Sequence, residues 1–218
     1  SDLNVELIDL YRGIRSDPDR VWRIYRQMPS NKRGYLEIRN LKHSDLDLVQ
    51  KAARTLFLNR TCFKGMWRHN LAGQFNIGYC GQSRRWVITR QLLLHVARVL
   101  KRASLKCLDF EFIIEEATAS DYLFLDPPYR PGEREQLHAH YFGQQFTYAD
   151  HKRLAGALKA ADKRGVPWSM TVSSHPDIGK LYKGFTFQNI QRGTGNRIGV
   201  LMQNSGEVLI SNHNGELK

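Results

Sequence analysis

The sequence predicts an α/β protein built on a largely parallel sheet, with a mainly helical segment set into its first half. Three observations carry this expectation. Apolar residues in the first half recur at helical spacing, short apolar runs alternate with helical stretches after position 107, and two short strands close the chain. Alternating strands and helices favour parallel pairing with both sheet faces covered, and the closing strands suggest an antiparallel edge.

Taken in order, positions 5–27 are helical but broken at Ser16-Asp17-Pro18-Asp19, where Asp17 can cap a second helix starting at Pro18. Positions 44–58 read as a helix with Ser44 as N-cap. Leu46, Leu48, Val49, Ala52, Ala53, Leu56 and Phe57 supply its buried stripe. Positions 59–85 mix basic, aromatic, Gly and Asn residues with little period. A helix is expected over 89–103 and a strand over 107–114. Tyr122 to Leu125 is a short apolar strand that ends on Asp126. A helix over 147–163 is stopped by Gly165, and strands follow at 166–172 and 185–190. The last two strands, 198–203 and 207–211, flank a turn at Asn204-Ser205-Gly206.

The 218 residues allow one domain, or a core plus an insertion. Lys and Arg number 33 against 21 Asp and Glu, a formal charge of +12 that points to a polyanionic partner. Cys62, Cys80 and Cys107 are widely spaced, so neither a disulfide framework nor a zinc site is expected, and a reducing cytoplasm fits. No apolar run approaches the ~20 residues of a membrane span. His138-Ala139-His140 lacks a third ligand nearby, and no metal is expected. Ser173-Ser174-His175 has no nucleophile elbow and reads as structural. Gly193-Thr194-Gly195 precedes a strand rather than a helix, so it fails as a phosphate loop.

Asp126-Pro127-Pro128-Tyr129 carries the chemistry. It follows an apolar strand at the carboxyl end, where open α/β sheets place ligands. An Asp carboxylate and a proline carbonyl can each accept an N–H of an exocyclic amino group and aim its lone pair at a methyl donor. Consecutive prolines stiffen the loop, and Tyr129 offers a face on which an extruded base can stack.

With this motif the chain resembles the Dam-type, or D12 class, DNA adenine-N6 methyltransferases. The resemblance extends to Phe57-Leu58-Asn59-Arg60, Phe63-Lys64-Gly65-Met66-Trp67-Arg68-His69-Asn70 and Gly73-Gln74-Phe75-Asn76, similar to the family's recognition region. Leu108-Asp109-Phe110, Phe146-Thr147 with His151 and Leu154, and Glu207-Val208-Leu209 also match in order. The resemblance implies a Rossmann-like S-adenosylmethionine-dependent methyltransferase sheet with an inserted, mainly helical DNA-recognition subdomain. The core would comprise 1–15 and 87–218, and the target-recognition part 16–86, with a DNA-reading hairpin or loop at 59–86. It further implies methyl transfer to adenine N6 in a GATC-like duplex with base flipping, by a chain acting as a monomer. Asp126, Pro127, Pro128 and Tyr129 would be catalytic, and Asp2, Asp109, Phe110 and Asp126 would bind S-adenosylmethionine.

Arg68 takes the position of the guanine-reading arginine, with Phe63 and Met66 at the intercalating and thymine-contacting positions. Arg60, Lys64, Asn70, Asn76, Arg84 and Arg85 complete the expected DNA contacts. Lys64 departs from the family's usual Asn, and Gly78 from a common proline. The family's F-x-G-x-G cofactor loop, expected just before Asp2, does not occur in the 218 residues. A sheet without the strand bearing that loop would expose unpaired backbone, so folding alone is not expected. The competing reading is a non-catalytic DNA-binding remnant. RNA and N4-cytosine substrates fit less well, the first because A-form grooves read poorly and the second because that class usually has Ser at position 126.

Overall fold

A computed structural model describes residues 1–70, 72–128, 146–190 and 206–213. They fall into two compact units, 1–109 and the described residues from 110 onward.

The first unit is helical. Asn4 caps α1 (Val5–Ser16) by accepting the Leu7 N–H, and Asp17 ends α1 while capping α2 (Pro18–Gln27) through Arg20 N–H. This is the break that the sequence predicts. α3 (Lys32–Asn40), capped by Asn31, was not anticipated, because Lys-Arg-Gly and Arg-Asn at its ends leave no long apolar stripe. α4 (Leu48–Thr61) starts later than expected. Asp47 and Gln50 form a reciprocal capping box there, whereas Ser44 turns its hydroxyl to Asp45 inside a 3₁₀ turn, His43–Asp45. Val49, Ala52, Ala53, Leu56 and Phe57 are buried as predicted, while Leu46 and Leu48 lie before the stripe begins. α1 crosses α4 at Gly13, where a Cβ would sit 2.5 Å from Ala52 Cβ and 2.7 Å from Leu48 O. Only glycine permits that approach. α5 (Arg90–Leu100), capped by Thr89, packs on α1 and α2 and closes a core around Val21, Tyr25, Tyr35 and Phe57.

The second unit holds the sheet. α6 (Phe110–Glu116) stands where a strand was expected. A short apolar run does not separate strand from helix, and here Glu111, Glu115 and Glu116 tip it to a helix that buries Ile114. Next come β1 (Leu123–Leu125), α7 (Tyr148–Lys163), β2 (Trp168–Ser173), α8 (Pro176–Leu181), β3 (Thr186–Asn189) and β4 (Glu207–Ser211). The strand order is β1-β2-β4-β3. β1 pairs parallel with β2, whereas β4 is antiparallel to both β2 and β3. The sheet is therefore mixed, and its reversed strand lies inside rather than at an edge. β4 can occupy that place because Val208, Ile210 and Ser211 are buried, as are Trp168, Met170 and Val172 of β2 beside it. The strand expected at 198–203 lies outside the described residues. α7 begins at a Thr147/Asp150 capping box, and its Leu154 and Leu158 join the core.

Candidate functional site

β1 delivers Asp126 to the strand's carboxyl end, as the sequence predicts. The Asp126 side chain is exposed, Pro127 is buried and Pro128 is exposed; Tyr129 lies outside the described residues. The Asp126 carboxylate is not free to swing, because Oδ1 accepts the Thr171 hydroxyl at 2.7 Å. Thr171 sits on β2, one strand over, and its hydroxyl also lies 3.4 Å from Leu125 O. The sequence contains no signal for this partner, which is 45 residues away.

Asp2 precedes α1 and is exposed. Its Oδ1 accepts Asn4 N–H at 2.7 Å, and its own N–H donates to Lys106 O at 3.3 Å. Asp109 is half-buried just before α6, and Phe110 opens that helix. The Phe110 ring meets Phe146 edge-on at 6.1 Å and lies 4.9 Å below the Arg153 guanidinium. Arg153 is held in turn by Glu111 at 2.8 Å and Asp150 at 3.0 Å. His138 and His140 lie outside the described residues. Among the described residues, no group of three or more His, Cys, Asp or Glu could hold a metal, and no helix is long and apolar enough to cross a membrane.

The basic, aromatic stretch after α4 folds back on itself. Lys64 (φ 53°) and Gly65 (φ 70°) turn the chain left-handed, and Gly65 leaves room for Arg84, whose guanidinium nitrogen a Cβ would meet at 2.8 Å. Arg60, Lys64 and Arg84 thereby line one cavity of about 340 Å³. Phe63 beside them is 48% exposed, while Met66 packs partly on the core.

Residues 68–70 and 72–76 form the two sides of a small hairpin. His69 bridges Phe75, Asn76 N–H donates to Arg68 O at 3.1 Å, and Asn70 N–H donates to Gln74 O at 2.9 Å. The Asn70 side-chain Oδ1 accepts the N–H groups of Ala72 and Gln74, tying the tip. Asn76 Oδ1 accepts Arg68 Nε–H at 3.0 Å. That bond fixes the plane of the guanidinium and leaves its two terminal nitrogens without a hydrogen bond among the described residues. Asn70 and Asn76 are thus engaged within the hairpin, a bracing task that residue type alone does not announce.

Arg85 corrects an expectation. It is 1% exposed, and its terminal nitrogens donate to the carbonyls of Tyr25, Arg26, Met28 and Pro29 and to Gln82. Tyr25 and Arg26 lie in the last turn of α2 and Met28 and Pro29 just beyond it, where helix geometry leaves carbonyls short of donors. Its guanidinium also lies over the rings of Tyr25, Phe57 and Trp86. Arg85 stitches the helical unit together and has no terminal donor left for DNA.

A second buried charge group was not legible in the sequence. Glu6 of α1 is 6% exposed, with Oε2 accepting from His69 Nε2 at 2.9 Å and Oε1 from Arg54 Nη1 at 3.2 Å. His43 Nδ1 lies 3.7 Å from Oε1, and His43 Nε2 pairs with Asp9 at 3.0 Å. Burial pushes the Glu6 carboxyl up, but the His69 hydrogen bond and the charges of His69, Arg54 and His43 outweigh it, and the carboxyl ends below its ordinary value.

The profile of the D12 class N6 adenine-specific DNA methyltransferases matches residues 1–195. The Type II methyltransferase M.MjaIII of Methanocaldococcus jannaschii is 30% identical over 203 residues, spanning 87% of this chain and 70% of that protein. The DNA N-6-adenine-methyltransferase of Escherichia phage P1 is 33% identical over 192 residues, 86% of this chain but 25% of that longer protein. The DNA adenine methylase of Vibrio cholerae is 29% identical over 191 residues, or 84% of this chain and 68% of that protein. With a profile match across most of its length and relatives aligned along it, the chain belongs to the D12 class of N6 adenine-specific DNA methyltransferases.

Proposed function

We propose that the chain moves the methyl group of S-adenosylmethionine to N6 of an adenine flipped out of a short, GATC-like duplex DNA site. The observation that carries this reading is Asp126: an exposed carboxylate at a strand's end, with one oxygen fixed by Thr171 at 2.7 Å and two prolines behind it. Adenine's amino nitrogen is a weak nucleophile because its lone pair is delocalised into the ring. Asp126 accepts one of its N–H bonds and the Pro127 carbonyl the other, which draws the lone pair out of conjugation. Tyr129 stacks on the extruded base. S-adenosylmethionine, when bound, would supply an electrophilic methyl, and Asp126 and the Pro127 carbonyl would hold the amino group that receives it.

The residues available suit this donor. An exposed Asp2, with one oxygen committed to Asn4 N–H, can accept from a ribose hydroxyl pair. Asp109 offers a carboxylate to the adenine end, and Phe110, its ring fixed by Phe146 and Arg153, offers an aromatic face. Toward DNA, Arg60, Lys64 and Arg84 meet phosphates, Arg68 reads guanine with its free fork, Phe63 wedges into the vacated stack, and Met66 touches a thymine methyl. Asn70 and Asn76 hold that surface in shape. In this reading 16–86 is the target-recognition part, and 1–15 with 87–218 the Rossmann-like catalytic core. The protein works as a monomer in the cytoplasm, in a restriction-modification or phage-borne setting.

The test is Asp126→Asn in the full chain, scored by methyl incorporation into duplex DNA and by the identity of the methylated nucleoside. The expected outcome is N6-methyladenine from the wild type, none from the variant, and DNA affinity unchanged within about twofold. Parallel loss of binding and turnover would refute the role given to Asp126.

A further inference from the structure

So short a hairpin has little to hold it in place by itself, since an isolated two-stranded hairpin is marginally stable at best in water. Its side chains alternate. Arg68 and Asn70 fall on one side, and His69 falls on the other, against the helical unit. Close packing does not back the hairpin along its whole length. A cavity of about 430 Å³ opens between its Asn70, Gln74 and Asn76 and the 39–44 stretch, with Glu6 and Arg54 also in its wall. On that side the hairpin is held by Phe75, 5% exposed in the core of the helical unit, and by the bond from His69, also 5% exposed, to Glu6 at 2.9 Å.

Glu6 is itself well fixed. Arg54 Nη1 binds it at 3.2 Å while Arg54 Nε and Nη2 donate to Ile38 O and Arg39 O in the last turn of α3. The carboxylate thus ties three pieces: α1, which bears it, α4 with the end of α3 through Arg54, and the hairpin through His69. The residue next to His69 is Arg68, whose guanidinium plane is set by Asn76 on the opposite strand of the same hairpin. A shift of His69 would move both Arg68 and its brace.

We propose that Glu6 is a positioning residue for target reading, holding His69 so that the Arg68 fork meets a base edge in one orientation. The inference rests on the reading of 68–76 as the DNA-reading hairpin. Sequence discrimination depends on Glu6, whereas bulk DNA affinity does not, because the phosphate-facing Arg60, Lys64 and Arg84 line a separate cavity that Glu6 does not touch.

The experiment measures binding of the full chain to two fluorescent duplexes at one salt concentration. One carries the site that the wild type methylates, identified by sequencing modified DNA, and the other is an unrelated duplex. Two variants are compared. Glu6→Gln removes the charge. His69→Phe keeps a ring against Trp67 and Phe75 but has no N–H to give, and it leaves Glu6 neutralised by Arg54, so it serves if the first variant fails to fold. Each variant is expected to lower the ratio of specific to unrelated affinity about tenfold, within the range of one misread base contact. Affinity for the unrelated duplex should stay within about twofold. Combining the two substitutions should lower the ratio no further than either alone, since both remove one interaction. An unchanged ratio in a folded variant, equal loss on both duplexes, or additive losses would overturn the inference. A wild type that discriminates while the variants also discriminate defeats this proposal alone. A wild type with no discrimination defeats the DNA-reading assignment beneath it.

Discussion

Replacing Arg85 separates its structural role from the DNA contact that its sequence neighbourhood suggests. In Arg85→Ala, the carbonyls of Tyr25, Arg26, Met28 and Pro29 lose a charged donor at the end of α2, and the rings of Tyr25 and Phe57 lose the guanidinium over them. A hydrogen bond to a charged donor contributes about 1.5–3 kcal/mol net, but these share one group and are not additive. Water can reach part of the opened space, so the expected loss is about 3–5 kcal/mol, the range for breaking a buried charged network. For a chain of this size that corresponds to a fall in Tm of roughly 10 °C. Arg85→Lys should recover little, because an ammonium lacks the fork that reaches several carbonyls at once. The assay pairs thermal denaturation with DNA titrations at several salt concentrations, taken well below the variant's Tm. Affinity and salt slope should match the wild type. An unchanged Tm with a salt slope reduced by about one unit would refute the reasoning and make Arg85 a phosphate contact after all.

Thr171→Val removes the hydroxyl that orients Asp126 and should slow turnover about tenfold with KM for DNA unchanged, as single-turnover and steady-state assays would show. Gly13→Ala drives a Cβ into Ala52 and the Leu48 carbonyl and should destabilise the protein by about 1–3 kcal/mol in urea unfolding. Gly156→Ala, in α7 with open space around it, should instead stabilise by about 0.5–1 kcal/mol. Below pH 4.5 stability should fall with a contribution from Glu6: despite its burial the folded carboxyl lies below that ordinary value, so its stabilisation is present above 4.5 and fades as pH drops through the lower folded value. Glu6→Gln should flatten that part of the acid limb. Burial raises the Tyr25 hydroxyl to about 12 and pushes Tyr35 and Tyr182 up as well, so stability should be full below pH 10 and decline above it as the unfolded chain ionises first. Ultraviolet titration should show these tyrosines ionising only as the protein unfolds.

What could be read from the sequence was what neighbours in the chain determine. Asp17 before Pro18 announces a helix boundary, and an apolar run ending on Asp126-Pro127-Pro128 announces a strand. Where two local solutions compete, local pattern leaves an element's start or type open. Ser44 and Asp47 both precede the α4 stripe, and only the Gln50 side chain decides between them. The run 110–114 suits strand and helix alike until its glutamates are weighed. Longer-range facts were illegible for a different reason. Arg85 resembles its basic neighbours until the end of α2 arrives with unpaired carbonyls, and Glu6 gains its meaning from His69, 63 residues later. Thr171 is one of many strand threonines until β2 is laid beside β1.

The place of β4 has a bearing on how the protein is made. The helical core of the first unit is drawn from residues 14–97, so it can begin to assemble while the remainder is still being synthesised. The sheet has no such freedom. β2 and β3 are successive strands, joined through α8, yet they do not pair with each other; β4, translated after both, lies between them. Until residue 211 leaves the ribosome, β3 has no partner among the described strands and β2 has only β1. Ribosome-bound chains arrested before and after 207–211 should therefore differ sharply in the protease resistance of the second unit, but not of the first.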